Sequence, residues 1–384
     1  MTSLKRNIRY VVVSDIHLGH NNTPTSDIIR RFKETILQEK DIDIIFIAGD
    51  LFDRLLDFNE PIVHEIIEFG NELILHCIKN KIALRILEGT PSHDWKQSSI
   101  FEVINKNFNN ACDFKYIQKL SIEYMESFNL HILYIPDEWT HDHLDLERQI
   151  FVELNRHGIE KVDIAILHGA FNFQDLANNI PFKFKEEYFL SIVKHYINVG
   201  HIHTHSYYDR IIAQGSFDRL RHGEEEDKGY VIMQIDLNNS KNDIWAFRAN
   251  FQAHIYKSIT IGKNASIERL KAKISKLPIG SYVRFIIDKD HPLYYSIDQL
   301  KNEFPLLHFS KKAKTVETTN KKQINFKELN MVSFTLTPES IEERILKELK
   351  EKNYSFTKEQ LEFAHEIIAQ MKSKLIELQK VKEE

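Results

Sequence analysis

Two kinds of apolar pattern alternate along the chain. Continuous β-branched runs occupy residues 8–14 (IRYVVVS) and 42–48 (IDIIFIA), and they end directly in Asp15 and in Gly49-Asp50. Apolar residues at successive positions predict strands covered on both faces. Between these runs, residues 27–38 place Ile28, Ile29, Phe32 and Ile36 at helical spacing, and residues 61–78 repeat the pattern at greater length. Residues 83–87 predict a third short strand, and Gly89-Thr90-Pro91-Ser92-His93-Asp94 is the loop after it. Further strands are predicted at 130–135, 161–167, 196–199, 210–213 and 230–237. Strand, helix, strand, helix is the order of an α/β fold, in which ligands gather beyond the carboxyl ends of the strands.

The pattern changes after residue 251. Residues 255–261, a helical stretch at 266–277, the turn Pro278-Ile279-Gly280 and a strand at 282–287 form a small β-α-β unit without a cluster of ligand-type residues. Residues 310–327 are rich in Lys, Thr and Asn, which suits an exposed linker. Beyond it, Ser340-Ile341-Glu342-Glu343 fits a capping box, with Ile341, Ile345, Leu346 and Leu349 on one helical face. A second helix is predicted from Thr357, with Phe356 and Leu361 spaced as a hydrophobic staple and an apolar stripe through Ile367, Ile368, Met371, Leu375 and Leu378. Two such helices cannot bury both stripes alone, so they either pack on the body of the chain or await a partner. The expected division is residues 1–250, a small α+β domain at 251–309, a linker at 310–335 and a helical pair at 336–384.

The 384 residues suffice for a sizeable core. Lys and Arg number 51 against 56 Asp and Glu, a formal charge of −5, so any contact with nucleic acid must come from local basic patches. Two cysteines, Cys77 and Cys112, are too few for a disulfide framework or a thiolate metal site, which points to a reducing compartment. No apolar run approaches the ~20 residues of a membrane span, and the start of the chain lacks a signal-peptide h-region. A soluble cytoplasmic protein without membrane association is expected.

The candidate chemistry lies at the predicted strand ends. Asp15-Ile16-His17, Gly49-Asp50, Ser92-His93-Asp94, His168-Gly169 and Gly200-His201-Ile202-His203 offer carboxylate and imidazole ligands there. Asp15 and His17 alternate along what is expected to be an extended segment, which would point both to one side to chelate one ion, and His201 and His203 share that spacing. Asp50 is the candidate bridging carboxylate for two divalent ions. Mixed imidazole and carboxylate ligation suits Mn, Fe or Zn better than Mg or Ca. Singly each element carries little information in a chain with 19 histidines: Asp50 reads equally as a helix N-cap, His168 as a core histidine and His93 as a loop residue. As an ordered series at strand ends they point to phosphoester hydrolysis at a metal pair.

The series D-x-H, G-D-x-F-D, a G-N-H-D-like loop, H-G and G-H-x-H is similar to that of the calcineurin-like metallophosphoesterases. Asp53 and the run from Gly215-Ser216-Phe217-Asp218-Arg219 to Lys228-Gly229 resemble more particularly the SbcD branch, the nuclease subunit of double-strand-break repair complexes. The resemblance covers roughly the first 250 residues. It implies a four-layer α-β-β-α sandwich. Asp15, His17, Asp50 and His203 would hold one ion, and Asp50, His168 and His201 the other. Two Mn2+ ions are implied, with Mg2+ as a substitute. His93 would be the acid for the leaving oxygen, Asp94 would orient it, and Asp53 fills a position bearing on exonuclease action. The family loop reads Gly-Asn-His-Asp with the Asn as ligand; Ser92 is assigned to that position, and its hydroxyl, a poorer donor, implies a raised metal requirement. The resemblance also implies that the 251–309 domain caps DNA beside the site, that the C-terminal helices clasp an SMC-like coiled-coil ATPase of the SbcC type, and that the chain forms a homodimer. The expected activity is Mn-dependent DNA exonuclease and endonuclease action in repair and recombination. A two-metal phosphatase or phosphodiesterase on another substrate, or a DNA-end-binding scaffold with weakened catalysis, stands beside it.

Overall fold

The fold is that of a computed structural model, which describes residues 7–137, 142–174, 180 and 182–314. In chain order its strands are β1 (Asn7–Val13), β2 (Ile44–Ala48), β3 (Ala83–Leu87), β4 (Phe114–Ile117), β5 (Ser121–Met125), β6 (Leu130–Ile135), β7 (Ile164–His168), β8 (Ile197–Gly200), β9 (Ser206–Tyr208), β10 (Ile211–Ala213), β11 (Gly229–Asp236), β12 (Ile244–Ala249), β13 (Tyr256–Thr260), β14 (Tyr282–Ile286) and β15 (His308–Lys312). The helices are α1 (Thr25–Thr35), α2 (Pro61–Asn80), α3 (Ile100–Asn107), α4 (His143–His157), α5 (Glu186–Ile192), α6 (Ile267–Ile274) and α7 (Ser296–Glu303).

Two six-stranded mixed sheets form the body, in the orders β12-β11-β1-β2-β3-β4 and β5-β6-β7-β8-β10-β9. In the first, β1 through β4 run parallel and β11 pairs antiparallel to β1. In the second, β6, β7, β8 and β10 are parallel. Alternate residues of each strand serve opposite faces. From β1, Ile8, Tyr10 and Val12 enter the core between the sheets with Phe46, Ile132, Tyr134, Ile166 and Ile212. Val11 and Val13 point the other way, beneath Phe32 of α1, Phe69 and Leu73 of α2 and Phe101 of α3. The outer face of the second sheet is covered similarly by Leu146, Ile150 and Leu154 of α4 and Phe189 of α5. Burial on both faces explains why these strands read as unbroken apolar runs. The result is an α/β sandwich with helices outside and two sheets within.

Residues 256–312 build a separate three-stranded parallel sheet, β13-β14-β15, with α6 and α7 and their own core of Ile261, Leu270, Ile274, Val283, Phe285, Ile297 and Leu300. Here one expectation is corrected: residues 310–312 are not linker but the end of β15, whose ladder with β14 pairs Phe285 with Lys311 and Ile286 with Lys312. The alternation that betrays a strand is hidden because β15 is an edge strand reading HFSKK, with Phe309 partly buried and its neighbours exposed. The two predicted tail helices and the linker from residue 315 on lie outside the described residues. Both cysteines are free and buried. Among the described residues no helix is long and apolar enough to cross a membrane.

Candidate metal centre

The parallel strands of both sheets deliver their carboxyl ends to one edge of the sandwich. The loop after β1 is laced to the loop after β2 by backbone bonds from Asp15 N to Gly49 O (3.1 Å), Ile16 N to Asp50 O (2.9 Å) and Leu18 N to Leu51 O (2.8 Å). The segment holding Asp15 and His17 is not extended, as the alternation argument required. Asp15, His17 and Asp50 adopt left-handed backbone conformations, with φ of 50°, 56° and 48°, because the loop-to-loop bonds turn the chain back at each step. The side chains converge nonetheless.

Three groups of ligand-type atoms, each lying within 4.8 Å of one another, result: Asp15, His17 and His203; Asp50, His168 and His201; and His17, Asp53 and His93. His17 Nε2 lies 3.2 Å from His203 Nε2, and His168 Nε2 lies 3.3 Å from Asp50 Oδ1. Asp15 is fully buried, and its carboxylate accepts from Ser14 Oγ (2.5 Å) and from the backbone N–H of His201 (3.1 Å to each oxygen). His168 Nδ1 donates to Ala48 O at 2.8 Å, crossing from the second sheet to the first. That crossing is possible only beside glycine: a Cβ on Gly49, at φ +84°, would stand 2.1 Å from His168 Nδ1. Likewise a Cβ on Gly89 would stand 2.3 Å from Asp50 Oδ1.

The electrostatics are those of a carboxylate cage. Burial acts against protonation of His168, but Asp50 outweighs it and raises the imidazole well above its ordinary pKa, while Asp50 itself is held far below the usual carboxylate range. His17 behaves alike: burial lowers it, and Asp53 at 3.1 Å with Asp50 and Asp15 raises it overall. His201 is lowered, by burial and by His168. A field that stabilises imidazolium also stabilises a cation between the rings. The residues therefore fit a metal. Buried imidazole nitrogens face one another and three carboxylates stand within reach. His201 Nδ1 is buried with no hydrogen-bond partner among the described residues.

Around this cage, His203 Nδ1 lies 2.9 Å from Glu224 Oε1, and Glu224 is held down to about 2, its burial outweighed by His203 and Lys228. Such carboxylate–histidine pairs fix the ring's tautomer and orientation. Glu224 was not anticipated, since in His222-Gly223-Glu224-Glu225-Glu226-Asp227 it reads as one more solvated acid. Lys228, fully enclosed, donates to His203 O (2.8 Å) and to Glu226 (2.7 Å).

Two role assignments change. Asp94 does not orient His93. Its carboxylate accepts from Phe52 N (2.9 Å) and Gly89 N (2.8 Å), so it ties the β3 loop to the β2 loop, and burial together with Asp50 raises its pKa to about 7. His93 is instead held through Nδ1 by the backbone carbonyl of Asp53 at 2.5 Å. Ser92, expected to be a ligand, is exposed. Thr90 accepts His93 N–H (2.8 Å) and Asp94 N–H (2.9 Å) at its carbonyl, so Thr90-Pro91-Ser92-His93 is a β-turn with Ser92 at its tip. Thr90, half-buried, reaches the centre instead, with Oγ1 donating to Asp50 Oδ2 at 3.2 Å and standing 3.5 Å from His168 Nε2. Pro after Thr in a T-P-S-H stretch is the signal that would have revealed the turn.

The fold and the site thus define an α/β sandwich whose strand ends gather histidines and carboxylates able to hold metal. No protein-family model and no curated protein matches the chain. Among the solved structures that match, one crystal structure does so with a TM-score of 0.38 and 12% identity, over 63% of this chain and 99% of its own, a likeness that identifies neither family nor function.

Proposed function

We propose that the chain is a metal-dependent phosphodiesterase acting on DNA ends, with Asp15, His17 and His203 around one divalent ion, Asp50, His168 and His201 around a second, and Asp50 between them. The observation that carries this reading is the adjoining of the two ligand groups at one sandwich edge. The mixed imidazole and carboxylate donors favour Mn2+ over Mg2+. When bound, the metal pair supplies charge neutralisation at the phosphoryl oxygens and lowers the pKa of an attacking water. The remaining work falls to this chain's own groups. His93, its Nδ1 engaged by the Asp53 carbonyl, has Nε2 free to give a proton to the leaving oxygen. Asp53, 3.1 Å from His17 Nδ1, fixes that ring and so acts as a positioning residue. Asp94 holds the His93 loop against the Asp50 loop.

The nucleic-acid substrate is carried over from the family resemblance, in which the small domain caps DNA; here that domain is seated against the loops of the centre. Tyr256 OH meets Thr23 Oγ1 at 3.0 Å, and Ser258 N donates to Glu225, the neighbour of Glu224, at 3.1 Å. A partner ATPase for the helices predicted within residues 336–384 and self-association of the chain complete the proposal.

The test is Mn2+ titration calorimetry of the full chain together with cleavage of labelled duplex and single-stranded DNA and of bis-nitrophenyl phosphate, repeated on Asp50→Ala and His93→Ala. Two ions bound and DNA cleaved is the expected result. Asp50→Ala loses both ions and activity, whereas His93→Ala keeps the ions and loses ~10²- to 10⁴-fold in rate. Hydrolysis of the small diester without DNA cleavage moves the substrate elsewhere, and loaded protein inert on both is a scaffold. A chain that binds no metal overturns the reading.

A further inference from the structure

We infer that the Thr90 hydroxyl is a ligand of the second ion, in the place that an amide side chain would otherwise fill. This deepens the reading just given and rests on it. Three side chains converge through four atoms: Asp50 Oδ1 to His168 Nε2 is 3.3 Å, Thr90 Oγ1 to His168 Nε2 is 3.5 Å, and Thr90 Oγ1 to Asp50 Oδ2, the other carboxylate oxygen, is 3.2 Å. Donors bonded at about 2.0–2.2 Å to a common ion stand ~2.9–3.6 Å apart at octahedral to tetrahedral angles. Each of these three separations falls in that interval, with one or the other oxygen of Asp50 as the carboxylate donor. Thr90 is also held beside Asp50 at its backbone, whose N–H donates to Asp50 Oδ1 at 2.6 Å.

The turn supplies the reason that Thr90 and not Ser92 has this role. Pro91 and Ser92 close the bend between Thr90 and His93, and the carbonyl of Thr90 accepts both His93 N–H and Asp94 N–H. The turn therefore keeps Thr90 with Asp50 and His93 near His17, where their rings lie 5.2 Å apart, while the two residues between them are displaced outward. A neutral hydroxyl is a weaker donor than an amide oxygen, so the second ion is the weaker one and sets the metal requirement.

The experiment uses the full chain, with Mn2+ calorimetry for the number and affinity of ions and electron paramagnetic resonance for coupling between them. Thr90→Val is expected to weaken one of two ions about 10-fold or more and to abolish the coupled signal at matched Mn2+, Thr90→Ser to bind as the parent does, and Ser92→Ala to be without effect. Thr90→Asn, which supplies an amide oxygen, is expected to tighten the weaker ion; a hydroxyl that merely hydrogen-bonds Asp50 predicts no tightening. Thermal midpoints of the metal-free variants check folding, and Thr90→Asn decides the matter if the valine form does not fold. Two ions of parental affinity in both Thr90→Val and Thr90→Asn overturn the role of Thr90 alone, as does loss of an ion in Ser92→Ala. A parent chain that binds fewer than two ions removes the metal-pair reading itself.

Discussion

Asp15, His17, Asp50 and His201 all carry positive φ, a conformation that costs a residue with a side chain about 1–2 kcal/mol. The cost is sustained by bonds between loops and not by any local preference, which is why a sequence can show that these residues are present but not how they are aimed. Alternation through Asp15-Ile16-His17 suggested a strand, whereas Ile16 is buried while two left-handed residues flank it. The donor identities were legible; the backbone that aims them was set by partners more than thirty residues away. Two substitutions probe this level. Gly49→Ala forces a Cβ into His168 at positive φ and is expected to lower both the unfolding free energy, by about 2 kcal/mol or more, and the Mn2+ affinity; urea unfolding alongside calorimetry reads both. Glu224→Gln removes the carboxylate that orients His203 through Nδ1, and Mn2+ affinity is expected to fall ~10- to 100-fold with the far-UV spectrum unchanged. An unaltered affinity would mean that His203 is positioned without Glu224.

The elements most clearly legible were those whose residues are buried on both sides. β3 and β6 fall where the apolar runs of residues 83–87 and 130–135 placed them. The elements that escaped were short or one-sided: β9 with two exposed tyrosines, β12 with no buried residue, and β5, where Glu123 interrupts the apolar pattern because it pairs with Arg85 at 2.9 Å. Nor does pattern reveal the quality of a helix end. α4 stops at Gly158 in the left-handed conformation, φ 64°, as glycine permits without strain, but α2 stops at Lys81 with φ 57°. Exposed, and without a side-chain hydrogen bond or ion pair among the described residues, Lys81 bears that strain for no compensating burial. Lys81→Gly is therefore expected to stabilise the chain, the ~1–2 kcal/mol of relieved strain exceeding the ~0.5–1 kcal/mol of added unfolded-state freedom. The net gain should be seen as a higher urea midpoint at constant m-value, and a lower midpoint would contradict it.

At the scale of the whole molecule, one buried carboxylate joins three parts of the chain. Asp218, fully enclosed, lies 2.5 Å from Arg31 Nη1 of α1 and accepts from the backbone N–H of Arg219 (2.7 Å) and of His254 (2.7 Å), the last at the entrance to the small domain. The sequence placed Asp218 within a family-like run but gave no hint of these partners, because two of the three lie far away in the chain and emerge only when α1, the 215–229 loop and residue 254 are packed together. Burial alone would raise the Asp218 pKa; His254 and Arg31 outweigh it and leave it depressed. The same sign holds for Glu123, lowered by Arg85 against its burial. A carboxylate with a folded pKa below its unfolded value contributes stability that is fully present above the unfolded value, ~4, and is lost as pH falls through the folded value, since the unfolded chain takes up protons first. The part of the stability that these two carboxylates contribute should therefore be flat from neutral pH to about 5 and then fall steeply. Asp218→Asn isolates the contribution. At neutral pH it leaves Arg31 buried opposite a neutral amide and should cost about 3–5 kcal/mol. As pH drops below ~4 the parent's Asp218 is protonated first in the unfolded chain and then, below its depressed folded value, in the native protein, so the two proteins become alike at this position and the difference between them should shrink. Chemical unfolding of both across that range reads the difference directly. A gap that stays constant down to acid would show that Asp218 joins the three segments by shape and hydrogen bonding alone, with its charge contributing nothing.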